Sequence, residues 1–365
     1  MNCYEKLREK LDLFPVGMPK STEAAELLQL LFGDDDILVA SNVPNPPLMF
    51  SAKKIARKSG VGKEEAAARL QSLAARGLIM EYKVLGEPLY TLLPAVPGFI
   101  EMQFMPAGPV DEKKRRAGEL WRIMMGGELG KENHGYPTSG IRVIPIKKSV
   151  DTTQKVFNFE ETEKIIRASG TIAIADCACR KAVGKCSAPL DVCMMFNVMA
   201  DYLIEKNMAR KATLKEAVKA LERAEDAGLV HTTANSKPPI QIICNCCSCC
   251  CMSLWGVTNL GKAAGSVSSN FSALVQDESV CIKCGMCAKV CPMGAITVTE
   301  DLTAVNTGKC IGCGLCAHKC PTGAMVLSRK SESEPPTTTL HLAAKMSGER
   351  NKLPRMINNL TKEIF

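Results

Sequence analysis

The sequence predicts an α+β protein of several domains, and three observations carry that expectation. The chain has 365 residues, beyond the length at which a single hydrophobic core keeps growing. Its 19 cysteines are unevenly placed, with Cys3 alone before Cys177, so cysteine-dense units follow a cysteine-poor one. Apolar residues recur at helical spacing near the start, whereas later segments read as short strands that run into cysteines. The boundaries drawn from these changes are a helical module with a hairpin over 1–100 and a connector over 101–154. A cysteine-rich α/β domain over 155–275 and a duplicated cysteine domain over 276–328 come next, and 329–365 is a linker with a flexible tail.

Residues 1–100 read as a winged-helix-like module. Glu23 to Phe32 puts Ala24, Leu27, Leu28 and Leu31 on one helical face. A second helix runs from Ala52 to Ser59 and a third from Glu64 to Arg76, stopping before Gly77. The stretch MEYKVLGEPLYTLLP then alternates through a turn at Gly86, which suits a wing hairpin. Such a fold often reads DNA, and Lys53, Lys54, Arg57 and Lys58 precede the third helix. That helix opens on Glu64 and Glu65, which disfavours nucleic acid and favours a protein-packing role. In the connector, a helix is expected over Glu112 to Met125 and a strand near Arg142 to Ile146. His134 sits in a Gly-flanked polar loop and reads as exposed and idle.

In the middle region, TIAIAD reads as a short strand delivering Cys177 and Cys179, followed by Arg180, Cys186 and Cys193. Thr213 and Glu216 form a capping box for a helix with Leu214, Ala217, Val218 and Leu221 on its buried face. A strand at Ile240 to Ile243 runs into CNCCSCCC, which contributes Cys244, Cys246, Cys247, Cys249, Cys250 and Cys251. Ten reduced thiols packed this densely would be an oxidation liability unless they held metal. They suffice for one or two further iron–sulfur clusters, and zinc also suits thiolate tetrads. Arg180 is a candidate for a cofactor-side contact, with a surface salt bridge as the plainer account. His231 and His318 are assigned to packing or solvent.

The densest pattern lies at 281–321. Cys281, Cys284, Cys287 and Cys291-Pro292 are followed by Cys310, Cys313, Cys316 and Cys320-Pro321, and each half has the spacing C-x2-C-x2-C-x3-C-P. A tight loop with two residues between cysteines delivers three thiolates to one cubane, and the fourth comes from the other half. Cys281, Cys284, Cys287 and Cys320 are thus expected on one cluster, and Cys310, Cys313, Cys316 and Cys291 on the other. The halves CIKCGMCAKVCPMGAITV and CIGCGLCAHKCPTGAMVL are an internal repeat. The repeat implies a pseudo-two-fold βαβ pair with short strands at Ile296 to Val298 and Met325 to Leu327. Residues 277–330 resemble the bacterial dicluster ferredoxins, and the resemblance implies two [4Fe-4S] clusters and one-electron transfer. Taken together, the winged helix, the C-x-C-R region, CNCCSCCC and the dicluster segment resemble a group of ferredoxin-domain proteins from anaerobic microbes.

Whole-chain properties bound the function. A hydrophobic fraction of 46% with 23% charged residues is ordinary for a soluble protein, and reduced cysteines in this number suit an oxygen-poor cytoplasm. The first residues, MNCYEKLREKLDLF, carry charges where a secretory signal needs an apolar core. No apolar run is long enough to span a bilayer, so membrane association would be peripheral. The formal charge of +8 counts cysteines as neutral. Four thiolate-bound cubanes, each about two charges negative, would cancel about eight units, so the apparent basicity says little about DNA. No G-x-G-x-x-G follows a strand, and two-electron chemistry would fall to a partner oxidoreductase or flavoprotein. The expected function is an iron–sulfur electron relay. The alternatives are a redox-responsive winged-helix regulator and a reductase with catalysis at the 177–251 site.

Overall fold

Side-chain caps start the first helices. In the computed structural model of the chain, residues 2–146, 149–150, 156, 160–261 and 263–364 are described. Helix α1 (Cys3–Leu11) begins where the Asn2 side chain accepts the Tyr4 N–H at 2.7 Å, and α2 (Thr22–Ala40) begins at the Ser21 hydroxyl. Both caps satisfy N–H groups that a helix start leaves without partners. The expected helix at 23–32 is the first part of α2, which continues beyond a break at Gly33, where φ is 68°.

Strand β1 (Phe50–Ser51) leads into α3 (Ala52–Ser59) and α4 (Lys63–Ala75), followed by β2 (Ile79–Val84) and β3 (Glu87–Leu92). The three strands pair in the order β1-β3-β2. The hairpin turns on Leu85 and Gly86, whose φ values of 52° and 84° are those a two-residue turn of the primed type needs. Leu27, Leu70, Leu73 and Tyr90 share one apolar core with Trp121 and with Ala173, Met195 and Leu203 from the cysteine-rich region. The Tyr202 hydroxyl donates at 3.0 Å to the carbonyls of Ala74 and Ile79, so the end of α4 is seated on the middle of the chain.

The connector carries α5 (Ile100–Met102), α6 (Glu112–Gly126), α7 (Glu128–His134) and β4 (Ile141–Val143). The expected boundary at 154/155 lies outside the described residues. Beyond it come α8 (Thr162–Arg167), β5 (Ile172–Ala175), α9 (Ala178–Val183), β6 (Cys193–Phe196), α10 (Asn197–Glu205) and β7 (Arg210–Lys211). They are followed by α11 (Leu214–Asp226), β8 (Val230–Ala234), β9 (Ile242–Cys246) and α12 (Met252–Leu260). Six strands form one sheet in the order β4-β8-β9-β6-β5-β7, and every strand pair in it is antiparallel. The expected mixture of helices and strands is present in this region, and its sheet is antiparallel throughout. Strand β9 also starts later than expected. Pro238 and Pro239 precede it, and proline cannot donate to a ladder.

The last part of the chain holds β10 (Phe271–Val275), α13 (Met286–Val290), β11 (Ile296–Val298), β12 (Thr303–Val305), α14 (Leu315–His318) and β13 (Met325–Arg329). The two repeat strands do not pair with each other. β10 pairs with β13 and β11 with β12, both antiparallel. The tail is a correction: it forms α15 (Thr339–Glu349) and α16 (Leu353–Ile364) and is held to the body. Glu349 accepts from the Thr138 hydroxyl at 2.5 Å, Arg350 donates to the Glu132 carbonyl at 2.9 Å, and Lys352 pairs with Glu132. At its end, Glu363 bridges Lys10 at 2.7 Å and Lys58 at 2.8 Å. The sequence under-read this segment because polar anchors, unlike an apolar stripe, leave no periodicity. No helix among the described residues is long and apolar enough to cross a membrane.

Candidate metal centres

Each half of the duplicated segment bends its loop around a cavity. Cys291, Cys310, Cys313 and Cys316 line one of about 330 Å³. Cys281, Cys284, Cys287 and Cys320 line the other, of about 350 Å³. Each cavity takes three cysteines from one loop and the fourth from the other repeat. Close backbone approach makes this possible: Gly312, at φ 64°, lies against the Phe271 carbonyl, and a Cβ there would collide with it. Backbone N–H groups point at the sulfurs, from Ala273 to Cys310 and from Ala295 to Cys291, each at 3.3 Å. Burial pushes the Cys313 thiol up to about 12, so deprotonation there depends on what the thiolate binds. At Cys320 burial acts in the same upward direction, yet N–H groups of Met325, Thr322 and Gly323 outweigh it and lower the thiol pKa.

The two cavities differ in exposure. Cys310 and Cys316 are buried, and their surroundings include Phe271, Leu315 and Leu327. Around the second cavity Cys284 is exposed, as are Val280, Ile282, Met286 and Leu302. The inner cavity is also tied to the central sheet: Ile146 donates to the Cys313 carbonyl at 3.1 Å and the Ser149 hydroxyl to the Gly314 carbonyl at 2.8 Å.

Three strand ends and the start of α12 bring together ten of the other eleven cysteines, all but Cys3. Strand β5 delivers Cys177 and α9 carries Cys179. Cys193 opens β6, Cys244 and Cys246 lie on β9, and Cys251 caps α12. Their thiols influence one another's ionisation in succession, Cys177 with Cys193, Cys193 with Cys244, Cys244 with Cys246, Cys246 with Cys251, and Cys251 with Cys179. Cys246 and Cys251 belong to the same apolar core as Cys310 and Cys316. The remaining four, Cys186, Cys247, Cys249 and Cys250, form a separate group nearer the surface, with all four sulfurs within 4.8 Å of one another.

Arg180 is not at the surface. Its side chain is almost wholly buried and donates to the Asn245 carbonyl at 2.8 Å and the Pro189 carbonyl at 2.7 Å. Burial opposes its charge, but the facing sulfurs of Cys177, Cys193 and Cys247 hold the guanidinium pKa above its ordinary value. A surface salt bridge is thereby corrected, since no carboxylate is among its partners in the described residues. Asn245, which sequence reasoning passed over, braces the same spot: it is fully buried, holds His231 at 2.5 Å and donates to the Val192 carbonyl. Its place between two cysteines on a strand was the available signal.

His134 is a second correction, because it is 1% exposed. Its Nε2 lies 3.3 Å from the Met252 carbonyl and its ring tilts against Trp255 at 6.0 Å. Burial pushes its pKa down to about 4. Gly256 makes room for the ring, where a Cβ would collide with Nδ1.

Comparison with known families matches residues 280–324 to the 4Fe-4S dicluster domain. That segment is a ferredoxin-type dicluster domain, which carries two [4Fe-4S] clusters, and the four-cysteine group at 186–250 is a further metal-binding candidate. Searches of curated proteins and of solved structures returned no match for the chain.

Proposed function

We propose that the protein relays single electrons through iron–sulfur clusters to or from a partner oxidoreductase. The observation that carries this is the pair of four-cysteine cavities, each completed by a crossed cysteine, inside the dicluster segment. Cys291, Cys310, Cys313 and Cys316 hold the inner [4Fe-4S] cluster, and Cys281, Cys284, Cys287 and Cys320 the outer one. Six thiols at the edge of the central sheet, Cys177, Cys193, Cys246 and Cys251 buried and Cys179 and Cys244 half-buried, hold a third centre. Cys246 and Cys251 share a buried apolar core with Cys310 and Cys316 of the inner cluster, and the reading orders the centres as third, inner, outer. When bound, the clusters supply one-electron redox chemistry. The chain contributes thiolates, N–H groups that stabilise sulfide charge, and exclusion of water. Ile282 and Met286, exposed apolar residues lining the outer cavity, with exposed Val280 and Leu302 next in sequence to its lining residues Cys281 and Thr303, suit transient docking of a flavoprotein partner.

The N-terminal module reads as a winged helix on its order of helix, strand, two helices and hairpin. A packing role fits it better than DNA binding. Its core merges with that of the central sheet, Arg69 on α4 is paired with Glu65 and Asp36, and Lys58 on α3 is engaged by Glu363. Anaerobic iron and sulfide analysis with electron paramagnetic resonance of the reduced protein tests the relay. At least eight irons and a coupled two-cluster signal are expected, and a colourless, sulfide-free preparation would end the reading.

A further inference from the structure

We infer that Cys186, Cys247, Cys249 and Cys250 form a mononuclear tetrathiolate zinc site, separate from the iron–sulfur centres. Distance separates the two chemistries. One tetrahedral Zn²⁺ with Zn–S of about 2.3 Å places its sulfurs about 3.8 Å apart. A cubane spreads its thiolates over four irons, with the sulfurs on the order of 6 Å apart. Here Cys186 lies 3.8 Å from Cys247 and 3.9 Å from Cys250, and Cys249 lies 3.6 Å from Cys250. The rest of the chain provides the contrast. Among the described residues no other three cysteines, neither in the dicluster cavities nor among the six assigned to the third centre, gather within 4.8 Å.

The surroundings are built for a negative group. Arg180, 2% exposed, faces Cys177 and Cys193 on one side and Cys247 of this group on the other, and its Nε has no hydrogen-bond partner among the described residues. A buried guanidinium needs an anion close by, and with no carboxylate beside it, thiolates are the anions at hand. The Lys185 N–H points to Cys250 and the Cys250 N–H to Cys247, the second layer of donors that metal thiolates use. Four cysteines, with no fifth donor among the described residues, make a closed, structural site. For the same donors Zn²⁺ binds more tightly than Fe²⁺. Its role follows from what it joins. Cys186 sits in a loop from Gly184 to Asp191 without regular structure, and the other three sit in the turn before α12. One ion fastens that loop over Arg180 and the buried thiols beneath.

Metal analysis of the full chain, purified anaerobically from medium containing both iron and zinc, tests the assignment. About one zinc per chain is expected, with X-ray absorption at the zinc edge showing four sulfurs and no neighbouring metal. Cys249→Ser and Cys186→Ser should each remove about one zinc while iron and sulfide stay constant. Should both serine variants precipitate, Cys186→His should retain one zinc, now with a nitrogen neighbour, as three-cysteine, one-histidine sites do. The assignment falls if the wild-type chain holds no zinc or holds a single iron at these sulfurs. It falls equally if the serine variants lose about four irons with sulfide, or if the histidine variant keeps no zinc. Each of these results leaves the dicluster relay standing, since that is read from the remaining iron.

Discussion

Cys291 shows how far one side chain can act from its place in the sequence. It follows three cysteines of its own loop, yet it lines the cavity of Cys310, Cys313 and Cys316. Cys291→Ala should therefore strip the inner cluster, with loss of up to about four irons and of the paramagnetic coupling between clusters, while the outer signal persists. Loss of the outer signal instead would show the crossed grouping to be wrong. His134 makes a different residue-level prediction. Its pKa in the folded protein is about 4 against about 6.5 when unfolded. As pH falls through 6.5 the unfolded chain takes up a proton that the folded chain refuses until about 4. Stability present above 6.5 is thus lost on acidification, by about 2 kcal/mol between pH 7 and 5. Denaturant titrations of wild type and His134→Gln, equally metal-loaded, should diverge over that range, and parallel curves would refute the burial argument. The burial of His134 and of Arg180 was not legible in the sequence, although Arg180 had been a candidate for a cofactor-side contact, because a polar residue in a glycine-rich or cysteine-rich stretch carries no periodic signal of burial.

Among elements, α16 depends on charge. Glu363 meets Lys10, whose Nζ also donates to the Val43 carbonyl at 2.5 Å, and burial pushes the Lys10 pKa down to about 8. Glu363→Gln leaves that ammonium with carbonyl partners but no counter-ion, which should cost about 1–3 kcal/mol. Hydrogen exchange should then quicken along α16 and change little in α15, which has its own anchor at Thr138; uniform protection would refute the clamp. The elements legible in advance were those with strong local grammar: the Thr213 capping box, the helix Ala52–Ser59, and the hairpin at Gly86. Strand pairing was not legible. Nothing local to Phe271 announces Arg329 as its partner 58 positions away, and a long-range antiparallel match leaves no short-range pattern.

At the scale of the molecule, the two cluster cavities differ in environment although their sequences nearly repeat. Burial disfavours the more negative, reduced form of a cluster, so the inner cluster should have the lower potential and electrons should run outward. A redox titration followed by electron paramagnetic resonance should resolve two unequal potentials. Ile282→Asp should slow transfer to a flavoprotein acceptor without changing iron content, and an unaltered rate would remove these exposed apolar residues as a docking surface. The ligand spacing of the dicluster was fully visible in the sequence because local loops make it. The division of the ten thiols between Cys177 and Cys251 into six and four was not, because only the meeting of β5, β6 and β9 creates it.

That lopsided shielding also sets the order in which the protein would age in air. Cys284 stands open while Cys310 and Cys316 lie beneath apolar side chains, so dioxygen reaches one cage long before the other. Brief aeration should leave a half-bleached form whose sheltered cage is intact but has lost its outlet, so that it can still be charged yet no longer discharges.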